Sequence, residues 1–207
     1  KYLANVPCEV QIFTPNAAVQ EILKKERVKL TPARAMLLYL MFHYEASGEQ
    51  SSLFVANKLA YFLQRSGERL RLNFEAHHYG PYTVQLNHVL MHLNGVYLKG
   101  MEQNQAKPFE PLLLNYEKYA EIEAFVTANT SIEQKQRLED VIRLLRGFES
   151  TFALELLATV DYVSSKNSNK DIESVHLAIA SWSNRKSNLF EKKQIEIAHT
   201  HLINYSE

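Results

Sequence analysis

Apolar residues recur at intervals of three and four along most of the chain, which is the spacing of one face of an α-helix. The clearest example starts at Ser51 or Ser52, either of which suits an N-cap, and carries Val55 and Leu59 on one face before Gly67. A glycine just past the last periodic residue is a common helix stop. This pattern predicts a helix from about 52 to about 65.

Capping residues predict where the other helices begin. The signals are a Thr or Ser before an apolar run, a Ser with Gln three residues later, and an Asn or Asp before a periodic segment. They occur at Thr31-Pro32, Asn115, Ser131 with Gln134, Ser150 and Asp171. Further periodic segments end at Asn94-Gly95 and run from Glu191 to Asn204. We expect about eight helices.

A few segments break the helical pattern. Leu70, Leu72 and Phe74 alternate with polar residues, which indicates a short strand or extended segment followed by a turn at 79–81. Segments 96–98 and 112–114 predict a small β-hairpin. Polar stretches at 164–170 and 183–187 predict loops, and Glu9–Phe13 and Asn16–Arg27 predict a strand and a linker helix. The predicted fold is mainly α, with about eight helices in one compact domain with a small β-hairpin.

Composition excludes several classes of protein. The six glycines in 207 residues are scattered singly, so no glycine-rich phosphate loop can be assembled. The formal net charge is zero, which removes the global electrostatic case for a nucleic-acid binder, although residues 101–165 carry 11 acidic and 6 basic side chains. Cys8 is the sole cysteine, and no apolar run reaches the roughly 18 residues of a membrane span. We therefore expect a cytoplasmic protein with no membrane segment.

Catalytic chemistry has little support in the sequence. His88 and His92 are spaced to point two imidazoles at one metal, but the glutamate of an HExxH motif is missing and surface histidines are the more ordinary interpretation. Glu117 and Glu121 lie one helical turn apart, but their polar neighbours indicate solvated carboxylates. We predict no catalytic residues, no metal site and no cofactor.

One run of residues is more specific than these patterns. The segment Lys58 to Gln64, then Gly67, an apolar strand and Tyr79-Gly80-Pro81-Tyr82 resemble the Panacea antitoxin domain. Later segments around Phe148-Glu149, Leu154 to Val160 and Trp182 to Lys186 extend the resemblance. The whole pattern, from about 30 to 204, is similar to the C-terminal domain of the DarG antitoxin family.

The resemblance implies a function. In that family an N-terminal macrodomain removes ADP-ribose from DNA, and the C-terminal domain binds the DarT DNA ADP-ribosyltransferase toxin. It implies that residues 1–29 are the linker and exit strand of a missing macrodomain, at the cut edge of a larger protein, and that residues 30–207 are a helical toxin-binding domain. This portion is then no enzyme, and a DarT-like toxin is its partner.

Two patches are candidate toxin contacts, because tyrosines and carboxylates placed like bases and phosphates can mimic single-stranded DNA in a cationic channel. The predicted partner-binding residues are Glu75, His77, His78, Tyr79 and Tyr82 in the turn, and Tyr116, Glu117, Tyr119 and Glu121 in the acidic third. Each has an ordinary structural reading as well. Tyr79 and Tyr82 suit the edge of the core, with the ring buried and the hydroxyl in water, as well as a binding anchor. Residues 117–123 suit a solvated helix.

The alternative function is a helix-turn-helix regulator of its own operon. In that reading the segments 171–182 and 191–204 form the helix pair, and Arg185, Lys186, Lys192 and Lys193 face phosphate. Glu191 dilutes this small cluster of cations. Strong direct binding to nucleic acid is therefore not expected, and solvation in a loop is the simpler interpretation of Arg185 and Lys186.

Overall fold

The computed structural model describes residues 28–101, 107–167 and 171–206. In these ranges it contains nine α-helices, one 3-10 turn and two small antiparallel strand pairs, which confirms the mainly α fold. The first half holds α1 (Pro32–Ala46), α2 (Leu53–Arg65), β1 (Glu75–His77), β2 (Gly80–Tyr82), α3 (Gln85–Leu93) and β3 (Leu98–Lys99).

The second half is almost entirely helical. It holds β4 (Leu113–Leu114), the 3-10 turn (Tyr116–Lys118), α4 (Tyr119–Asn129), α5 (Ile132–Leu145), α6 (Thr151–Lys166), α7 (Ile172–Trp182), α8 (Asn184–Leu189) and α9 (Lys192–Ser206). Strands β3 and β4 pair with Leu98 opposite Leu114, so the small hairpin predicted there is confirmed. No helix of the described ranges is long and apolar enough to cross a membrane.

The predicted caps are present. Side-chain oxygens of the N-cap residues accept a backbone N–H three residues on in α1, α2, α5, α6 and α7. At α5 the bond is reciprocal, because the Gln134 side chain also accepts the Ser131 N–H at 3.0 Å. Asn115 caps the 3-10 turn that leads into α4. Local sequence therefore determines where these helices begin.

Helix α2 is the centre of the hydrophobic core. Eleven of its thirteen residues are buried, and it contacts α1, α5, α6 and strand β2. Two of those eleven, Asn57 and Lys58, are polar. The helix thus carries polar groups into a largely apolar interior, and both groups are part of the candidate site described below.

The structure corrects the turn predicted at 79–81. Residues 70–74 pair with no strand, and Arg71 has a left-handed φ of +58°. The side chain of Gln64 holds this segment by donating to the Leu72 carbonyl and accepting the Leu72 N–H. The strand begins at Glu75, the turn is His78–Tyr79, and Gly80-Pro81 belongs to β2. A glycine and a proline suggested a turn, but here the proline lies in a two-stranded ribbon, where it needs no N–H partner.

Two predicted loops are also corrected. Residues 164–166 form the last turn of α6, and 184–189 form α8, capped by the Ser183 hydroxyl, which accepts the Lys186 N–H at 3.2 Å. Both segments are polar, so they lacked the apolar periodicity that predicts a helix. The strand predicted over Glu9–Phe13 and the helix predicted over Asn16–Arg27 lie outside the described residues.

Candidate functional site

Strands β1 and β2 form a hairpin with Glu75 opposite Tyr82 and His77 opposite Gly80. Its side chains divide into two sets. Those of Glu75, His77 and His78 are exposed, whereas Tyr79 and Tyr82 are half-buried. The structure therefore brings the five candidates of the first predicted patch together on one hairpin.

Four side chains from the helices behind it bind the hairpin backbone. From α2, Asn57 accepts the Thr83 N–H at 2.9 Å and Lys58 donates to the Pro81 carbonyl at 2.7 Å. The indole N–H of Trp182 donates to the His77 carbonyl at 3.2 Å, and Arg185 reaches the His78 carbonyl at 3.3 Å. Because these bonds hold main-chain atoms, they fix the hairpin without using its exposed side chains.

A buried ion cluster lies beneath the hairpin. The carboxylate of Glu155 accepts two bonds from Arg185, at 2.6 and 3.0 Å, and one from Lys186 at 2.8 Å. Lys186 also donates to the Thr159 hydroxyl at 3.1 Å. Burial alone would raise the pKa of Glu155, but the bonds from Arg185 and Lys186 outweigh it and hold the pKa low. Glu155 is therefore ionised at neutral pH.

Lys58 makes the cluster unusual, because it adds a third cation to a site with one carboxylate. Its side chain is 1% exposed and its ammonium sits 5.0 Å from the centre of the Phe54 ring. Burial, with repulsion from Lys186 added, lowers the pKa of Lys58 to about 7 against the opposing attraction of Glu155. Near pH 7, Lys58 therefore exchanges between its charged and neutral forms.

The predicted exposure of Arg185 and Lys186 is wrong. Lys186 is fully buried and Arg185 is paired with Glu155. Sequence reasoning missed the cluster because its members lie on three helices. One signal was present in the sequence: Lys58 and Glu155 each interrupt a run of apolar residues, and a charge in such a run is buried only with a partner.

Gly80 fits the same site for a steric reason. Its φ is +90°, in the region that favours glycine, and a Cβ there would lie 2.9 Å from the Thr159 hydroxyl oxygen and 3.5 Å from the Lys58 ammonium. The hairpin backbone thus approaches the ion cluster as closely as a residue without a side chain permits.

The two hairpin tyrosines have structural contacts as well as partly exposed surface. The Tyr79 ring packs edge-on against Phe109 at 4.7 Å, and the Arg185 guanidinium lies 4.9 Å from its centre. The Tyr82 hydroxyl donates to the Asn87 side chain at 3.2 Å, and its ring lies 5.0 Å from that of His77. Tyr79 and Tyr82 therefore remain candidates both for packing at the edge of the core and for binding a partner.

The second predicted patch is arranged less tightly. Tyr116 is 64% exposed and its hydroxyl bonds the Glu45 carboxylate, while the Tyr119 hydroxyl donates to Glu123 at 3.0 Å. Glu121 accepts bonds from Tyr97, at 2.6 Å, and from Lys118. Glu117 is exposed. Only part of the predicted acidic charge is therefore available to a partner.

Other candidate chemistry gains no support. His88 and His92 lie on α3, and neither is buried. In the part of the chain that the structure describes, no group of three or more His, Cys, Asp or Glu residues is arranged to hold a metal ion. Cys8 lies outside the described residues.

The four cations of the helix-turn-helix interpretation do not form a basic face in the structure. Helix α8 stands between the two predicted helices, Lys186 is buried, and Lys192 bonds the Glu173 carboxylate. Two of the four cations meant for phosphate are thus in the Glu155 cluster and a third is in an ion pair. The basic cluster inferred from the sequence does not form a phosphate-binding surface.

Comparison with known proteins finds relatives with a single name. No family model matches the chain. It is 34% identical over 201 residues to a protein of Thermus aquaticus named DNA ADP-ribosyl glycohydrolase, an alignment that covers 92% of this chain and 52% of the relative. Proteins of the same name from Mycobacterium bovis and Mycobacterium tuberculosis are each 25% identical over 200 residues, covering 90% of this chain and 56% of theirs. The chain spans about half the length of the curated relatives it matches.

Proposed function

We propose that this chain is an antitoxin module that binds and neutralises a DarT-like DNA ADP-ribosyltransferase by direct protein contact through the hairpin of β1 and β2. Relatives named DNA ADP-ribosyl glycohydrolase support this context, because an enzyme that removes ADP-ribose from DNA opposes a toxin that attaches it. The similarity covers about half of those relatives, and we propose that the other half carries the glycohydrolase activity.

The observation that carries the proposal is the convergence of distant motif segments on one hairpin. Lys58, Gly80-Pro81, Glu155 and Arg185-Lys186 are far apart in sequence and meet beneath the hairpin. Burying two cations, together with a lysine of lowered pKa, around one carboxylate is a costly way to hold a short ribbon, since apolar packing stabilises as well or better. A hairpin fixed in this way is suited to present Glu75, His77 and His78 to a partner.

DNA mimicry is the proposed mode of inhibition. A toxin that modifies bases on single-stranded DNA needs a cationic channel with stacking groups. Glu75 with Tyr82 on the hairpin, and Glu117 with Tyr116 on the second patch, pair a carboxylate with an aromatic ring in partly exposed positions. Either pair has the chemistry to occupy such a channel.

The first test is complex formation. The chain and a DarT-like toxin are co-expressed and passed over a size-exclusion column, and we expect a stable complex and loss of DNA ADP-ribosylation. The two proteins eluting separately at micromolar concentration, with the toxin fully active, would contradict the proposal. We also expect the chain alone to release no ADP-ribose from modified DNA.

The second test concerns mimicry. Labelled single-stranded target DNA is bound to a catalytically inactive toxin, and the chain is titrated in. We expect the DNA to be displaced, with an apparent affinity that weakens as salt is added, because rim charges are screened. A stable ternary complex with DNA still in the channel would contradict the mimicry hypothesis, but it would not contradict direct neutralisation of the toxin.

A further inference from the structure

A groove lined with aromatic rings lies between α1 and the start of α4, and it shares Tyr116 and Tyr119 with the second predicted patch. Its walls are Phe42, His43, Tyr116 and Tyr119, with Ala46 at one end, and it encloses about 300 Å³. We call it the aromatic groove. The Tyr116 and Tyr119 rings both stand edge-on to Phe42, with ring centres 5.4 and 5.3 Å away. Rings held by one another in this way present a pre-formed apolar wall.

The groove continues toward carboxylates. Tyr39 lies 4.4 Å from the His43 ring and is nearly parallel to Tyr119, at 16°, with centres 6.4 Å apart. Beyond it a second concavity of about 540 Å³ is lined by Tyr39, Glu123 and Glu139. Burial raises the pKa of the Tyr39 hydroxyl, and the nearby negative charges of Glu123 and Glu139 raise it further.

The positive charges nearby do not cancel these carboxylates fully. Lys135 lines the far side of the second concavity and donates to the Thr127 carbonyl at 2.7 Å, and Lys118 is paired with Glu121. Among the described residues, none forms a hydrogen bond or ion pair with the Glu139 carboxylate. The groove is thus an aromatic surface with a negative end.

His43 contributes a neutral ring to the groove wall. Burial lowers the pKa of His43, against the attraction of Glu123, so the ring is neutral at pH 7 and does not repel a cation. Its Nε2 atom is buried, so a ligand in the groove does not contact this nitrogen.

We infer that the aromatic groove binds an arginine side chain of a partner protein. A guanidinium is planar and stacks on tyrosine faces, it carries five N–H donors, and it pairs with carboxylates through two parallel bonds. Here Tyr39 and Tyr119 provide the rings, and Glu123 and Glu139 provide the charge in the concavity that Tyr39 also lines. The inference goes beyond the proposed function and does not depend on it.

The test uses the whole chain and a small probe. Isotope-labelled protein is titrated with N-acetylarginine amide at millimolar concentration, and backbone amide shifts are followed by NMR. We expect saturable shifts centred on residues 39–46 and 116–123. N-acetylcitrulline amide keeps the planar group without the charge, and N-acetyllysine amide keeps the charge without the plane, so both should bind more weakly.

Variants assign the interaction to the groove. Glu123→Gln with Glu139→Gln should weaken arginine binding about tenfold, since a hydrogen bond to a charged group contributes about 1.5 kcal/mol or more. Glu196→Gln, an exposed carboxylate on α9, is the matched control and should change nothing. Equal binding of citrulline or lysine, no saturation, or an unchanged affinity in the double variant would each overturn the inference. A failure of the toxin to bind the chain would bear on the proposed function alone.

Discussion

The hairpin and the aromatic groove are built on opposite principles. Under the hairpin, buried charges bind one another and the main chain, and Lys186 and Glu155 are 0% and 3% exposed. In the groove, aromatic rings do the packing, and in the concavity beside it the Glu139 carboxylate has no hydrogen-bond or ion-pair partner among the described residues. The first arrangement fixes a shape, whereas the second leaves interactions available to a ligand.

This difference separates stability from binding. Changes in the ion cluster should lower the free energy of unfolding and disturb the hairpin, because they leave like charges buried together. Removal of the exposed carboxylates Glu123 and Glu139 beside the groove should alter binding and leave stability almost untouched, because these groups are at the surface. The predictions below test that separation, from the largest expected effect to the smallest.

The largest effect should come from Glu155→Gln. This substitution removes the one carboxylate that compensates Arg185, Lys186 and Lys58, so we expect a loss of about 3–5 kcal/mol in the free energy of unfolding, measured by urea denaturation. The matched control is Glu173→Gln, which breaks the exposed pair with Lys192 and should give no measurable change. Equal stabilities of the two variants would show that the cluster does not stabilise the fold.

Gly80→Ala should have the next largest effect. Gly48 is a close control, because its φ is +92° but no atom lies within 4 Å of the position that an added methyl group would take, whereas the same methyl group at Gly80 meets Thr159 at 2.9 Å. Both variants carry backbone strain, and only Gly80→Ala adds a clash of about 1–3 kcal/mol. Thermal unfolding of the two variants measures the difference, and a difference near zero would contradict the close contact.

Much of the helical framework could be predicted from sequence, whereas the cluster could not. Caps such as Ser131 and Asp171 act within three residues of themselves, so local patterns reveal them. The bonds of Glu155 to Arg185 and Lys186 span about thirty residues, and no local pattern reports them. Helix α8 was missed for the same reason, because its burial rests on Lys186 rather than on an apolar face.

A smaller change over each pH unit should appear in the pH dependence of stability. The pKa of Lys58 is about 7 in the fold and 10.5 for an ordinary lysine, so between these values the unfolded chain binds more protons. Stability should therefore rise with pH across this window, by at most about 1.4 kcal/mol per pH unit, and the burial penalty is complete below pH 7. Lys58→Met should flatten the rise. The exposed Lys99→Met is the control, and an unchanged slope in Lys58→Met would contradict the depressed pKa.

The smallest effect on stability should be at the groove. Glu139→Gln removes a carboxylate that no described residue binds, so the free energy of unfolding should stay within about 0.5 kcal/mol of the parent protein. Chemical denaturation checks this directly. A loss comparable to that of Glu155→Gln would mean that the groove is part of the framework, and the contrast between the two regions would fail.

The central proposal is that the hairpin surface contacts the toxin, and calorimetric titration of the toxin with two histidine variants tests it most directly. His78→Lys adds a positive charge at an exposed position of the hairpin tip, and His92→Lys makes the same change on the exposed face of α3. We predict that His78→Lys weakens binding at least about tenfold, or about 1.4 kcal/mol, because the added cation repels the cationic channel of the toxin, while His92→Lys stays near the parent affinity. Parent-like binding by His78→Lys, with the hairpin folded, would contradict the account.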